Sequence, residues 1–156
     1  DKTRELVINE FGQSEEEVKD GMDIALCALV GKTLRFSGAH NPLWIIRKDS
    51  ATVEEIKANK QPIGAYDNPT PYSTHRIELN EGDTIYLFSD GLVDQFGGKA
   101  NSGKGKKFKS SRFKKLLLSI QDKPIEEQKA LIDAAFQSWK GNLEQLDDVC
   151  VIGVRV

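Results

Sequence analysis

A chain of 156 residues is long enough for one domain with a sizeable core, and 38 % hydrophobic with 29 % charged residues describes a globular fold rather than a disordered one. Lys and Arg number 22 against 24 Asp and Glu, so the net charge of −2 excludes an overall basic footprint and no nucleic-acid partner is expected. No run approaches the roughly 18 apolar residues that cross a bilayer, and no apolar leader reads as a signal peptide, so a cytoplasmic setting is expected.

Residues 1–18 are polar with a thin apolar stripe (Leu6, Val7, Phe11) and predict a short helix or a frayed end. The single Met is internal, Met22, and the chain opens at Asp1 in mid-pattern, which suggests a processed or truncated fragment. Residues 22–30 are almost continuously apolar. Gly31-Lys32 and the alternating run 33–37 follow, a hairpin signature. Leu43 to Arg47 predicts the next strand and Thr52 to Ile56 a short one. Pro62, Gly64, Pro69 and Pro71 make 58–72 a loop. Ser73 to Leu79 alternates, Asn80 to Asp83 is turn chemistry, and Thr84 to Phe88 predicts a buried strand that stops at Ser89-Asp90-Gly91.

Residues 97–111, rich in Gly, Lys and Ser, read as a mobile loop, and every charged residue from Lys99 to Lys115 is basic. Phe113, Leu116, Leu117 and Ile120 then fall at helical spacing. Pro124 opens a second helix, Gly141 ends it, and Val149 to Val156 closes the chain as an apolar strand. Cys27 and Cys150 sit in apolar runs and read as reduced core residues, without the spacing of a disulfide framework or a thiol-rich zinc site. Many strands, two helices and a final strand predict an α+β fold with largely antiparallel sheets packed with helices.

Two acidic positions stand out. Asp90 ends a buried strand, and Asp147-Asp148 immediately precede the last strand. Carboxylates held at the ends of core strands suit hard cations such as Mg²⁺ and Mn²⁺, and if the two strands are neighbours, Asp90 and Asp147 converge on one metal. Taken singly, an Asp-Gly after a strand is a turn and an Asp pair before one is a solvated loop.

The order Ser37-Gly38-Ala39-His40-Asn41-Pro42, then Leu79 to Asp83 with Leu87-Phe88-Ser89-Asp90-Gly91, then Asp147-Asp148-Val149 resembles the stage II sporulation E-type branch of the metal-dependent 2C-type protein phosphatases. The resemblance runs from about residue 20 to residue 156. It implies the αββα sandwich of that family and metal-ligating roles for Asp90 and Asp147, with Asp148 ranked lower. It also implies a binuclear Mn²⁺ or Mg²⁺ centre whose bridging water attacks phosphoserine or phosphothreonine in line. His40 stands where eukaryotic relatives have an aspartate linked to an additional metal; a hydrogen-bonded loop histidine is the simpler expectation.

Departures from the family pattern change the expectation for this chain. The upstream glycine-aspartate and Asp-Gly-His-type segments that supply the bridging ligands have no counterpart. Asp20 and Asp23 fall in the wrong place and read as turn and strand-edge residues, and Cys150 replaces the usual Thr of the terminal motif. The chain therefore resembles a single phosphatase domain over 1–156, incomplete at its N-terminus, with half of the metal ligands, no catalytic residue assigned and substrate-binding residues unknown. The parent protein is expected to be an active phosphatase and the fragment inactive.

The implied partners are a phosphoprotein substrate, such as an antagonist of an anti-sigma factor, and upstream sensor or helical domains of the same polypeptide. A membrane-anchored sensor with this domain at its cytoplasmic end fits the same family. Uncovered sheet edges make a homodimer an open expectation. A non-catalytic docking module on the same fold is the alternative. A small ligand-binding β-barrel is a weaker one, since metal-binding barrels present several histidines and only His40 and His75 exist here. For the basic run, an acidic partner, phosphate steering or anionic lipid stands against a solvated loop.

Overall fold

The computed structural model describes residues 1–11, 21–98 and 105–156. The elements in chain order are α1 (Lys2–Phe11), β1 (Gly21–Met22), β2 (Ile24–Val30), β3 (Thr33–Ala39), β4 (Leu43–Ile46), β5 (Glu54–Ile56), β6 (Ile63–Gly64), β7 (His75–Glu78), β8 (Thr84–Phe88), α2 (Gly91–Asp94), β9 (Phe96–Gly97), β10 (Lys106–Lys107), α3 (Ser110–Ser119), α4 (Ile125–Lys140) and β11 (Val151–Arg155). The chain forms two compact units, Asp1–Trp44 with Glu55–Asn80, and Ile45–Glu54 with Glu81–Val156. The pairs β1–β6, β9–β10, β8–β11, β2–β3 and β3–β7 are antiparallel, in line with the expected mixed α+β fold. Among the described residues no helix is long and apolar enough to cross a membrane.

In the first unit the sheet order is β2-β3-β7. The predicted hairpin closes at Val30↔Thr33, and Gly31, first of the two loop residues, has the positive φ (58°) that a tight turn with Gly leading demands. Leu34, Phe36, Ile77 and Leu79 are buried, so the alternating strands turn one face to the core. The apolar run of β2 behaves differently: Leu26, Leu29 and Val30 are exposed, and Cys27 is half-buried. β2 lies at the edge of its sheet, and its apolar side chains are only partly covered.

In the second unit the sheet order is β11-β8-β4-β5, with the division between the units falling within β4 and β5. Phe88 meets Phe113 of α3 edge-on at 5.3 Å between centroids, and Leu92, Leu117, Ile132 and Phe136 complete a buried core. α4 begins one residue after Pro124 and ends at Gly141, whose φ of 56° stops the helix as predicted. The linker between α3 and α4 is tied to the sheet by polar groups. Arg155 donates to Thr84 Oγ1 (3.1 Å) and to the carbonyls of Lys123 (3.0 Å) and Gln121 (2.9 Å). The Tyr86 hydroxyl donates to Gln128 Oε1 and accepts from Gln121 Nε2, each at 2.6 Å. Burial pushes the Tyr86 phenol above its ordinary pKa, against the opposing pull of Gln121 and Arg155.

Two expectations need correction. β11 is half-open, with Ile152 and Val154 exposed, and Cys150 just before it is exposed rather than buried; β11 is an edge strand packed on one face. The segment 97–111 is not one loop. β9 pairs with β10, and α3 already starts at Ser110, because Phe108 and Phe113 both bury and anchor the chain. Residues 99–104 of that loop reading, and 12–18 of the N-terminal one, lie outside the described residues.

The Gly82-Asp83 turn is a structural joint. Gly82 donates to the carbonyl of Val156 (2.6 Å) and Val156 donates to that of Asp83 (2.9 Å), which closes the end of the β8–β11 pair. The Asp83 side chain, 2 % exposed, accepts from Arg47 Nη1 (2.8 Å) and from the Lys48 amide (3.0 Å). Asp83→Ala strands both donors, and because Arg47 remains partly solvated the loss should be about 2–3 kcal/mol. Asp83→Asn, which keeps an acceptor for the amide, should lose less, and chemical denaturation of the two variants checks the order.

At the other end of β8 the register Val151↔Phe88 continues past the last paired residues. Ser89 Oγ donates to the Asp148 carbonyl (2.8 Å) and accepts from the Cys150 amide (3.0 Å), while the Ser89 amide donates to the Cys150 carbonyl (3.0 Å). A β-carbon on Gly91 would lie 2.4 Å from the Asp148 carbonyl oxygen, closer than side chains tolerate. Gly91→Ala should therefore push the 147–148 segment away and destabilise the protein by about 1–3 kcal/mol, measured by thermal or denaturant unfolding.

Candidate functional site

Asp90 follows β8 at the N-cap position of α2, with helical backbone angles (φ −70°, ψ −19°) and no side-chain bond to the helix. Its carboxylate is exposed. The single turn of α2 is fixed by the Asp94 amide donating to the Asp90 carbonyl (2.9 Å) and by burial of Leu92 and Val93. Asp147 and Asp148 are also exposed and precede β11. Asp147 Oδ1 accepts from the Asp148 amide (2.7 Å), and the Asp147 carbonyl accepts from Gln145 Nε2 (2.9 Å), so this carboxylate is held by a local turn. The Ser89 and Gly91 contacts then set the Asp90 turn directly against the Asp147-Asp148 backbone. Sequence reasoning placed β8 and β11 as possible neighbours; they are hydrogen-bonded partners.

Asp90 and Asp147 thus come from adjacent strand ends, point of departure and point of return of one antiparallel pair. Their chemistry fits a divalent cation, since Mg²⁺ is commonly held by one or two carboxylates and completes its shell with water and phosphate oxygens. Among the described residues no group of three His, Cys, Asp or Glu is placed to hold a metal ion together. Asp90 and Asp147 alone do not make up such a group.

The Ser37-to-Pro42 loop belongs to the first unit. Gly38 has no room for a β-carbon, which would meet the Asn41 carbonyl oxygen at 2.7 Å and Ala58 at 2.8 Å. His40 adopts φ 56°, and its amide donates to the Asn59 carbonyl (2.9 Å). Its Nδ1 lies 2.8 Å from Asp23 Oδ1, which agrees with a hydrogen-bonded loop histidine and places Asp23 at the strand edge between β1 and β2. Asp20 lies outside the described residues.

Sequence reasoning missed Ser89 and Gly91 as the residues that fix the site. Gly91 has no positive φ, so its need is close approach rather than conformational freedom, and a one-dimensional pattern shows only a turn glycine. The signal for Ser89 was its position between a strand end and an Asp-Gly, where a hydroxyl can replace a ladder hydrogen bond.

The family model described as stage II sporulation protein E matches residues 14–156. Comparison with curated proteins gives no match. Among solved structures, the SiaA-PP2C domain of Pseudomonas aeruginosa superposes with a TM-score of 0.68 at 31 % identity, over 80 % of this chain and 47 % of that one. A serine/threonine phosphatase of S. agalactiae gives 0.62 at 17 % identity, over 97 % and 65 %. The PP2C phosphatase domain of SpoIIE from Bacillus subtilis, with a fragment of its regulatory domain, gives 0.61 at 22 % identity, over 86 % and 37 %. The chain spans less than two thirds of each of these. The chain belongs to the stage II sporulation protein E family and has the fold of 2C-type phosphatase domains.

Proposed function

We propose that this chain contributes the Asp90–Asp147 side of a metal-dependent phosphatase centre acting on phosphoserine or phosphothreonine of a regulatory protein partner. The supporting observation is the β8–β11 register, carried on by Ser89 and Gly91, that brings the two strand ends together. A divalent cation, Mn²⁺ or Mg²⁺, would supply phosphate charge neutralisation and an activated water. Asp90 and Asp147 would hold it through exposed carboxylate oxygens, and the local turn keeps the Asp147 side chain in place. Ser89 and Gly91 keep the two backbones in contact, so the carboxylates need little reorganisation when a cation arrives.

Two carboxylates alone make a weak site, and the reading therefore assigns hydrolysis to a longer polypeptide and inactivity to this chain. The test is Mn²⁺-dependent phosphate release from a phosphoserine peptide, run on this chain and on a version extended N-terminally by about one supersecondary unit, with Asp90→Asn in each. Activity in the extended protein only, falling by roughly a hundredfold or more in Asp90→Asn, is the expected result. Calorimetry should show weaker Mn²⁺ binding to Asp90→Asn than to the parent chain. Folded proteins with no hydrolysis in either length, and Mn²⁺ binding indifferent to Asp90, would replace this proposal with the non-catalytic docking module.

A further inference from the structure

The described part of the basic run, which the phosphatase reading leaves unused, lies beside a groove. Between Gly105 and Lys115 there are six cations and no acid. Placed on the fold, these residues form β10, the turn at Lys109 and the first half of α3, packed beside the C-terminal half of α4. A groove of about 560 Å³ lies between the two helices. Phe108, Leu116, Ala135 and Trp139 are its buried and half-buried lining; Arg112 and Lys115 are exposed members, joined by the hydroxyls of Ser119 and Ser138. Among the described residues no carboxylate lines it. The nearby Lys107 is already paired with Asp94 (2.9 Å), which leaves Arg112 and Lys115 as the charges the groove itself presents.

Arg112 is fixed rather than loosely solvated. The Arg112 guanidinium stacks on the Trp139 ring at 4.1 Å and reaches the Phe108 ring at 5.8 Å. Trp139 is itself held: its indole N–H donates to the Gln95 carbonyl (3.1 Å), and it packs edge-on against Phe108 at 5.6 Å. A stacked guanidinium keeps its in-plane N–H donors, the geometry that grips a carboxylate with two bonds. Helix stability does not account for this placement. Arg112 sits in the first turn of α3, which has no acidic residue, where the helix dipole disfavours a cation by about 0.3–1 kcal/mol.

We propose that this α3–α4 groove, with Arg112 stacked on Trp139 and Lys115 beside it, is a docking surface for an acidic peptide segment of a protein partner, one that also carries an apolar side chain. Charge complementarity selects the acidic residues, and the lining of Phe108, Leu116 and Ala135 selects the apolar one. A membrane is the poorer occupant. Insertion needs projecting apolar side chains, and none of the exposed large hydrophobic residues lies on α3 or α4. Single-stranded nucleic acid is also poorer, because the aromatic face available for base stacking, that of Trp139, is taken by Arg112. The inference involves neither the metal nor hydrolysis, so its failure is separate from that of the phosphatase proposal.

The test is fluorescence anisotropy of the purified protein with a labelled peptide of about ten residues, Glu and Asp interrupted by two Leu. Saturable binding is expected, weakening about tenfold in Arg112→Glu/Lys115→Glu and falling as salt is raised from about 0.05 to about 0.3 M. Because Arg112 packs on Trp139, the single Lys115→Glu, which leaves that stack intact, serves as a second variant and should weaken binding about threefold. The same peptide with Gln and Asn in place of its acids should not bind. Equal binding of that neutral peptide, no effect of either variant, or binding to phosphatidylserine vesicles or oligouridine in preference to the acidic peptide would each overturn the proposal.

Discussion

The pairing of β8 with β11 is the constraint on which the second unit depends. It joins Thr84–Phe88 to Val151–Arg155 across about 60 residues of intervening chain, so the loop entropy of closing it must be offset by order in what lies between. That intervening chain is α3 and α4, and their linker is bonded back to the same two strands through Arg155 on one and Tyr86 on the other. Ladder and helices therefore stabilise each other. The register has a chemical consequence as well. Slipping β11 by one residue would turn its faces over and carry Asp147-Asp148 away from the Ser89 hydroxyl and from the gap left by Gly91.

Most of the fold was legible because its signals are local. The Gly31 hairpin, the alternation of β7 and the Pro124 and Gly141 boundaries of α4 each depend on a few neighbouring residues, and each lies where the sequence indicates. Coverage was not legible. β2 and β11 both read as apolar runs, yet Leu26, Val30, Ile152 and Val154 are exposed and neither cysteine is fully buried. An apolar run reports that a strand can be covered; what lies over it is a property of the assembled fold. The basic segment misled for the opposite reason. Its Lys, Gly and Ser content suggests a loop, while two aromatics, Phe108 and Phe113, supply enough buried surface to fold its second half.

The candidate site divides along the same line. The two aspartates at the strand ends were legible from their positions, because a carboxylate that follows or precedes an apolar strand stands out in any hydropathy pattern. The contacts that bring them together were not, since a hydroxyl replacing a ladder bond and a glycine needed for close approach both require the partner strand to be known. The resemblance to a phosphatase family supplied the order of the motifs, and the β8–β11 register supplies the physical reason that the last two of them lie next to each other in space.

Two aspartates flank β8, each in a turn beside a glycine. Burial separates them. A buried carboxylate must find its donors within the protein, and Asp83 finds them in Arg47 and the Lys48 amide, which makes it a joint between the strand and the preceding turn. Asp90 is exposed and makes no cap bond to α2, so its oxygens stay open to water or a cation. The first arrangement commits the carboxylate to structure, and the second leaves it open to a ligand. One five-residue strand thereby has an end whose carboxylate is tied into the fold and an end whose carboxylate is exposed, and the antiparallel return of β11 sets the Asp147-Asp148 segment beside that exposed end.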